Sequence, residues 1–200
     1  MNEVTQRTDI KEFLQTLIDS KKLPTHIKSV EDAFTIAQMG KELGFPTMQS
    51  FHYIIPVQGK LTLSAKAIGA LLRRGKVQFT TVEDGVWVYR DGAALEIPKL
   101  ETEAKPYDRR TTIIFNRDGV DERVSYTWKE AEAQGLTIKD NWKRLAREML
   151  WARCLAKGAN RIGADLLLGL YTTDEMADAF NIREDLVERD EDGHIKAIAE

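Results

Sequence analysis

Residues 139–161 read KDNWKRLAREMLWARCLAKGANR, and how this stretch is understood decides the fold. Seven bases (Lys139, Lys143, Arg144, Arg147, Arg153, Lys157 and Arg161) stand there against two acids, Asp140 and Glu148. At about 100° per residue, six of those bases fall within an arc of about 120° that runs from Arg153 through Lys139, Lys157, Lys143 and Arg161 to Arg147. Arg144 lies just outside it. Trp142, Leu145, Met149, Ala152, Ala156, Ala159 and Ile162 fill an adjoining arc. The pattern predicts one long helix, docked through its apolar arc and carrying a basic stripe along its open edge. A helix face that is merely solvated mixes signs, so that residues four apart can pair. This arc is nearly free of acids. Aligned guanidinium and ammonium groups match successive phosphates, and each phosphate they neutralise releases condensed counterions.

Upstream, the apolar residues Ile10, Phe13, Leu14, Leu17 and Ile18 recur at helical spacing behind Thr8, a candidate cap, and Pro24 ends that segment. Ser29-Val-Glu-Asp32 reads as a capping box opening a second helix, which runs through Phe34, Ala37 and Leu43 to a C-cap at Gly44. Tyr53 to Leu63 predicts a hairpin turning at Gln58-Gly59. Ser64 caps a helix from Ala65 to Arg74 that buries Ile68, Leu71 and Leu72 and stops at Gly75. Val77–Glu83 and Val86–Arg90, joined by Asp84-Gly85, read as a second hairpin. Residues 96–108, with two prolines and no apolar period, read as an exposed loop. Thr111–Asn116 and Val120–Thr127 form a third hairpin around Arg117-Asp118-Gly119, and Trp128–Gln134 a short helix closed by Gly135. Thr172-Thr-Asp-Glu175 caps a last helix to Phe180. The expected class is α+β: a helical N-terminal part, then β-hairpins and a small antiparallel sheet packed on the long basic helix. Residues 1–180 make up the domain, and 181–200 an acidic tail expected to be disordered.

Composition bounds the function. The 200 residues are 42% hydrophobic and 30% charged, the balance of a globular chain, and no run reaches the roughly 18 apolar residues of a membrane span. The polar opening MNEVTQRTDI lacks the apolar core of a secretory signal, and one cysteine, Cys154, allows no internal disulfide, so a cytoplasmic setting is expected. Net charge is -3, which taken alone argues against nucleic acid. The distribution argues otherwise. From Asp174 to Glu200 ten acids face three bases, a net of -7, which leaves residues 1–173 at +4 and residues 139–161 at +5. Neither a dinucleotide-binding Gly-x-Gly-x-x-Gly nor the phosphate loop of ATPases occurs. His26, His52 and His194 have no metal-binding spacing, and no acids stand in a two-metal nuclease pattern. The expectation is a protein without catalytic residues, metal or cofactor. Lys60, Lys66, Arg73, Arg74 and Lys76 add a second basic cluster around the first hairpin and the helix after it.

The order of motifs resembles the RecT/Bet family of phage single-strand annealing proteins. The matching stretches are the helix Ala33–Leu43 with Gly44-Phe-Pro46, Tyr53-Ile-Ile-Pro-Val-Gln-Gly-Lys60, the helix ending Leu72-Arg-Arg-Gly75, Arg117-Asp-Gly119, Thr127-Trp-Lys-Glu-Ala131 and Trp142-Lys-Arg-x-x-Arg-Glu-Met149 followed by Arg153. They cover residues 29–176. Val57-Gln58 stands where an aromatic residue or a lysine is common in that family's hairpin. The resemblance implies ATP-independent binding of single-stranded DNA and annealing of complementary strands during phage-type recombination, with an annealed duplex as intermediate. It further implies a ring or helical filament of identical subunits, and a phage exonuclease or host single-strand binding protein as partner in the bacterial cytoplasm. By position, Lys143, Arg144, Arg147, Arg153 and Lys157 would contact phosphates, with Lys60 and Arg73 or Arg74 on the opposite wall. Lys66, Lys139, Trp142 and Arg161 complete the expected DNA-binding set. The competing expectation is a non-catalytic phage interaction or regulatory module whose basic helix meets an acidic protein surface.

Overall fold

A computed structural model describes residues 3–89, 107–173, 175–176, 187–189 and 195–198. It mixes helices with small antiparallel sheets, an α+β chain as its sequence predicts. Its described residues group into two compact units, where the sequence treats residues 1–180 as one domain.

The first unit draws on Met1–Ala67 and on the chain beyond Leu170. Helix α1 (Glu3–Asp19) starts upstream of Thr8, which lies inside the helix instead of capping it. Leu14 is fully buried, while Ile10 and Phe13 of the same predicted face are exposed. Helix α2 (Val30–Glu42) has the expected capping box: the Asp32 amide donates to Ser29 Oγ at 3.0 Å and the Ser29 amide to Asp32 Oδ2 at 3.1 Å. It buries Ala33, Ile36 and Gly40. Helix α3 (Thr47–Tyr53), preceded by Pro46, is an element the sequence does not announce, because TMQSFHY has no apolar period. Strands β1 (Ile54–Val57) and β2 (Lys60–Leu63) form the predicted hairpin. Gln58 and Gly59, at φ 48° and 72°, make the left-handed two-residue turn that suits the strands' twist.

After Leu170 the chain returns to this hairpin. Leu63 donates its amide to Tyr171 at 2.8 Å, and the Thr62 and Thr173 hydroxyls meet at 3.0 Å. Thr172 caps the predicted last helix, accepting from the Glu175 amide at 3.0 Å; beyond Met176 that helix lies outside the described residues. In the stretch for which composition implies disorder, β6 (Val187–Arg189) pairs antiparallel with β7 (Ile195–Ile198). The rest of 181–200 lies outside the described residues.

The second unit, Ile68–Gly169, contains most of helix α4 (Ala65–Arg74), whose Ile68, Leu71 and Leu72 are buried as predicted. Its sheet has the order β3-β4-β5: β3 is Gln78–Tyr89, β4 Tyr107–Arg117 and β5 Val120–Thr127. Two of its features depart from expectation. Asp84-Gly85 does not turn a hairpin; β3 runs through it as one strand, paired with β4 on both sides of it, with register shifts at Thr81/Glu83 and Glu83/Val86. Gly85 has φ 61°, and a left-handed glycine after aspartate suits a bulge as well as a turn. Strand β4 also begins at Tyr107, inside the predicted loop; residues 96–106 of that loop lie outside the described residues. The third hairpin is as predicted, with Asp118 and Gly119 at φ 53° and 82°.

Helix α5 (Trp128–Ala133) starts from a Thr127–Glu130 capping box and stops before Gly135, at φ 71°. The long helix is then two helices, α6 (Asp140–Arg144) and α7 (Ala146–Ile162), separated at Leu145, whose φ −124° and ψ 40° are not helical. That break takes α6 out of phase with α7, and on α7 itself the buried side overlaps the basic arc. Leu145 is exposed, and α7 buries Ala146, Leu150 and Cys154, which fall inside the arc assigned to the basic stripe, and Gly158 just beyond its edge. The sheet lies against that side. A methyl group at Gly158 would stand 2.1 Å from the Phe115 ring, and Cys154 Sγ donates to the Val124 carbonyl at 3.2 Å. Burial pushes the Cys154 thiol up to about 11, which keeps it protonated and unreactive.

Candidate nucleic-acid interface

Because α7 packs with its basic side toward the sheet, the bases at its two ends and flank meet acids carried by other elements. At the N-terminal end, Arg147 donates from Nε to Asp84 Oδ2 at 2.7 Å and from Nη2 to the same oxygen. The bulge makes this contact possible. A side chain at position 85 would have its Cβ 3.0 Å from Arg147 Cγ, so glycine both adopts the left-handed backbone and leaves room for the arginine stem. The Gly85 amide donates to Thr111 Oγ1 at 2.9 Å, and its carbonyl accepts from Arg109 Nε at 2.8 Å, so the bulge is held on both sides. The hydrogen bond to Asp84 holds the Arg147 guanidinium above its ordinary range, firmly charged.

Along the flank, Lys157 donates to Glu130 Oε1 at 2.6 Å and to the Ser125 carbonyl at 3.1 Å, with its ammonium 5.6 Å from the centre of the Tyr126 ring. At the C-terminal end Arg161 donates to Glu122 Oε1 at 2.8 Å. In α6, Arg144 reaches Asp140 at 3.1 Å on its own helix. The acid-poor arc of the sequence is thus paired in three dimensions, since β3, β5 and α5 supply the missing carboxylates.

The expected contact residues separate into groups. Trp142 is 1% exposed, stacked edge-on against Trp128 at 5.9 Å and beside Tyr126 at 6.4 Å, so it is a core residue and does not touch DNA. Arg153 is 8% exposed and likewise leaves the contact set. Lys157 is tied down on three sides and Lys139 is half-buried. Lys143, Arg144, Arg147 and Arg161 remain at the surface. Of the second cluster, Lys60 and Lys66 belong to the first unit. Arg73 and Arg74 belong to the second unit and are exposed, Arg73 lying over the Phe79 ring at 4.9 Å. The turn that carries them packs beside the end of α7: Leu72 approaches Gly163 and Leu166 approaches Gly75. Lys76, the next exposed base, adopts φ 59° there.

Trp151 is half-buried, its indole N–H donating to Thr81 Oγ1 at 3.1 Å. On the opposite sheet face Glu83 takes two hydrogen bonds from Arg110, at 2.9 and 2.5 Å, and one from Thr112, with Arg123 at 4.0 Å. Burial resists ionisation of Glu83, but these donors prevail and hold its carboxyl below the usual range.

Among the described residues no helix is long and apolar enough to cross a membrane, and no group of three or more His, Cys, Asp or Glu could hold a metal ion. Fold and site define the chain as an α+β protein in which a basic helix is fastened to a three-stranded sheet by ion pairs, with further bases exposed at the helix ends. Comparison with protein families, characterised proteins and solved structures finds no match for it.

Proposed function

We propose that the chain binds single-stranded DNA and anneals complementary strands without ATP, as its motif resemblance to the RecT/Bet family suggests. The observation that carries this reading is the pair of basic groups at the two ends of α7. Lys143, Arg144 and Arg147 stand at one end; Arg161, with Arg73, Arg74 and Lys76 on the neighbouring turn, stands at the other. Arg147 and Arg161 are fourteen residues apart on α7, about 21 Å at 1.5 Å per residue. A strand lying along that span would meet cations at both ends. The side chains of Arg144, Arg147 and Arg161 are 69%, 59% and 54% exposed, and ion pairs at such exposure contribute little, because solvent screens them and two long side chains must be held in place. Phosphates can therefore displace the carboxylates at small cost.

Neutralising backbone charge lets two like-charged strands approach while their bases stay open for pairing. On this reading the protein carries no catalytic group, takes no metal or nucleotide, assembles with copies of itself along the strand, and works in the cytoplasm of a bacterial host beside an exonuclease or single-strand binding protein. The test is annealing of complementary oligonucleotides by purified protein without nucleotide. Acceleration that weakens as salt rises is the expected result; no acceleration at low salt, across a concentration series that allows assembly, overturns the proposal. Salt-insensitive or absent oligonucleotide binding together with capture of an acidic protein would favour the interaction-module reading instead.

A further inference from the structure

Three carboxylates from three separate elements occupy the bases of one helix: Asp84 from the β3 bulge on Arg147, Glu130 from α5 on Lys157, and Glu122 from β5 on Arg161. Resting on the nucleic-acid reading above, we propose that Asp84 and Glu122, at the exposed ends, are specificity-determining residues. They act as built-in competitors that a ligand must displace.

The energetics of displacement differ between ligands. An acidic protein surface offers carboxylates in exchange for carboxylates, a replacement of like by like. A nucleic-acid strand offers phosphates from a backbone that holds condensed counterions, and each phosphate neutralised releases them. Only the second exchange carries an additional entropic gain, so the two acids bias the interface toward polyphosphate strands and against acidic polypeptides. They also keep Arg147 and Arg161 extended and ordered before a ligand arrives, so little side-chain freedom is lost on binding.

A purely structural role predicts the opposite outcome to this one. If Asp84 and Glu122 only fasten α7 to the sheet, removing them loosens the helix and weakens any binding. If they compete, removing them strengthens it. The experiment uses the full chain and fluorescence anisotropy with a labelled oligothymidylate and, separately, a labelled polyglutamate peptide. Asp84→Asn and Glu122→Gln should each tighten oligothymidylate binding by about 1.4- to 5-fold at low salt, the size of effect that losing an exposed ion pair carries. The selectivity for oligothymidylate over polyglutamate should fall in both variants. In an Arg147→Ala background, Asp84→Asn should give no further gain, whereas a general increase in positive charge would still act there.

Unchanged or weaker binding by the single variants overturns the inference while leaving the nucleic-acid reading intact. So does a gain that persists without Arg147, or a parent protein that takes the peptide as tightly as the oligonucleotide. Failure of the parent and every variant to bind oligothymidylate at low salt overturns both.

Discussion

Gly158 and Gly69 are both helical glycines of the second unit, and replacing each by alanine should have opposite effects on stability. Alanine is favoured over glycine inside a helix by about 0.5–1 kcal/mol, and this gain applies at both positions. Their surroundings differ. At Gly69 a new Cβ would lie 3.8 Å from Phe79 Cζ and 4.0 Å from Leu155 Cδ2, ordinary contact distances, so Gly69→Ala should keep the whole gain. At Gly158 the new carbon would lie 2.1 Å from two atoms of the Phe115 ring, against the roughly 3.5 Å at which carbons normally rest. The helix or the ring must move by more than 1 Å. Phe115 is fully buried, with Phe79 behind it at 6.1 Å between ring centres, so the ring has little room. Overpacking costs about 1–3 kcal/mol, and a misfit of this size falls in the upper part, about 2–3 kcal/mol, which outweighs the helix gain and leaves Gly158→Ala destabilised by about 1–2.5 kcal/mol. For a chain of this size each kcal/mol moves the melting temperature by about 2–4 °C. Thermal and urea unfolding of the two variants beside the parent would measure both shifts. A Gly158→Ala protein as stable as the parent would refute the inference that α7 is pressed onto the sheet at this point.

Two further predictions concern binding and pH. Lys143→Ala and Arg144→Ala should each weaken oligonucleotide binding and lower the slope of log affinity against log salt by about one, read from anisotropy titrations over a salt series; an unchanged slope in both would place the contacts elsewhere. Burial lowers the pKa of His26 from 6.5 to about 4, so the folded state resists a proton that the unfolded chain accepts. Stability should therefore be fully present above about pH 6.5, fall by on the order of 3 kcal/mol as pH drops toward 4, and lose nothing more from this group below that. Unfolding free energies of the parent and His26→Gln across this range should diverge in slope, and parallel curves would remove His26 as the cause.

What was legible in the sequence was mostly local. The Ser29 capping box, the Gln58-Gly59 and Asp118-Gly119 turns and the buried face of α4 depend on residues a few positions apart, and all are present. The misreadings come from longer-range causes. Asp84-Gly85 has the chemistry of a turn and of a bulge alike, and only pairing with β4 on both sides of it selects the bulge. The break at Leu145 has no glycine or proline to announce it, and on α7 itself Leu150 and Cys154 lie between the bases, so only the sheet packed on that side reveals it as the buried one. The exposed ends of the interface, Lys143, Arg144, Arg147 and Arg161, were visible as charges, while their partners Asp84 and Glu122 stood some forty to sixty residues away and were invisible to any helical pattern. Trp142 and Arg153 look like ligand-binding residues by type, and burial alone reassigns them.

The bulge at Gly85 also bears on how this surface tolerates change. A saturation library across the interface should be permissive at Asp84, Arg147 and Glu122, where lysine can stand in for arginine and glutamate for aspartate with the charge kept. At position 85 it should be nearly closed, since any side chain meets both the left-handed backbone and the stem of Arg147. The most restrictive site in the patch would then be a residue that contributes no charge and no side chain.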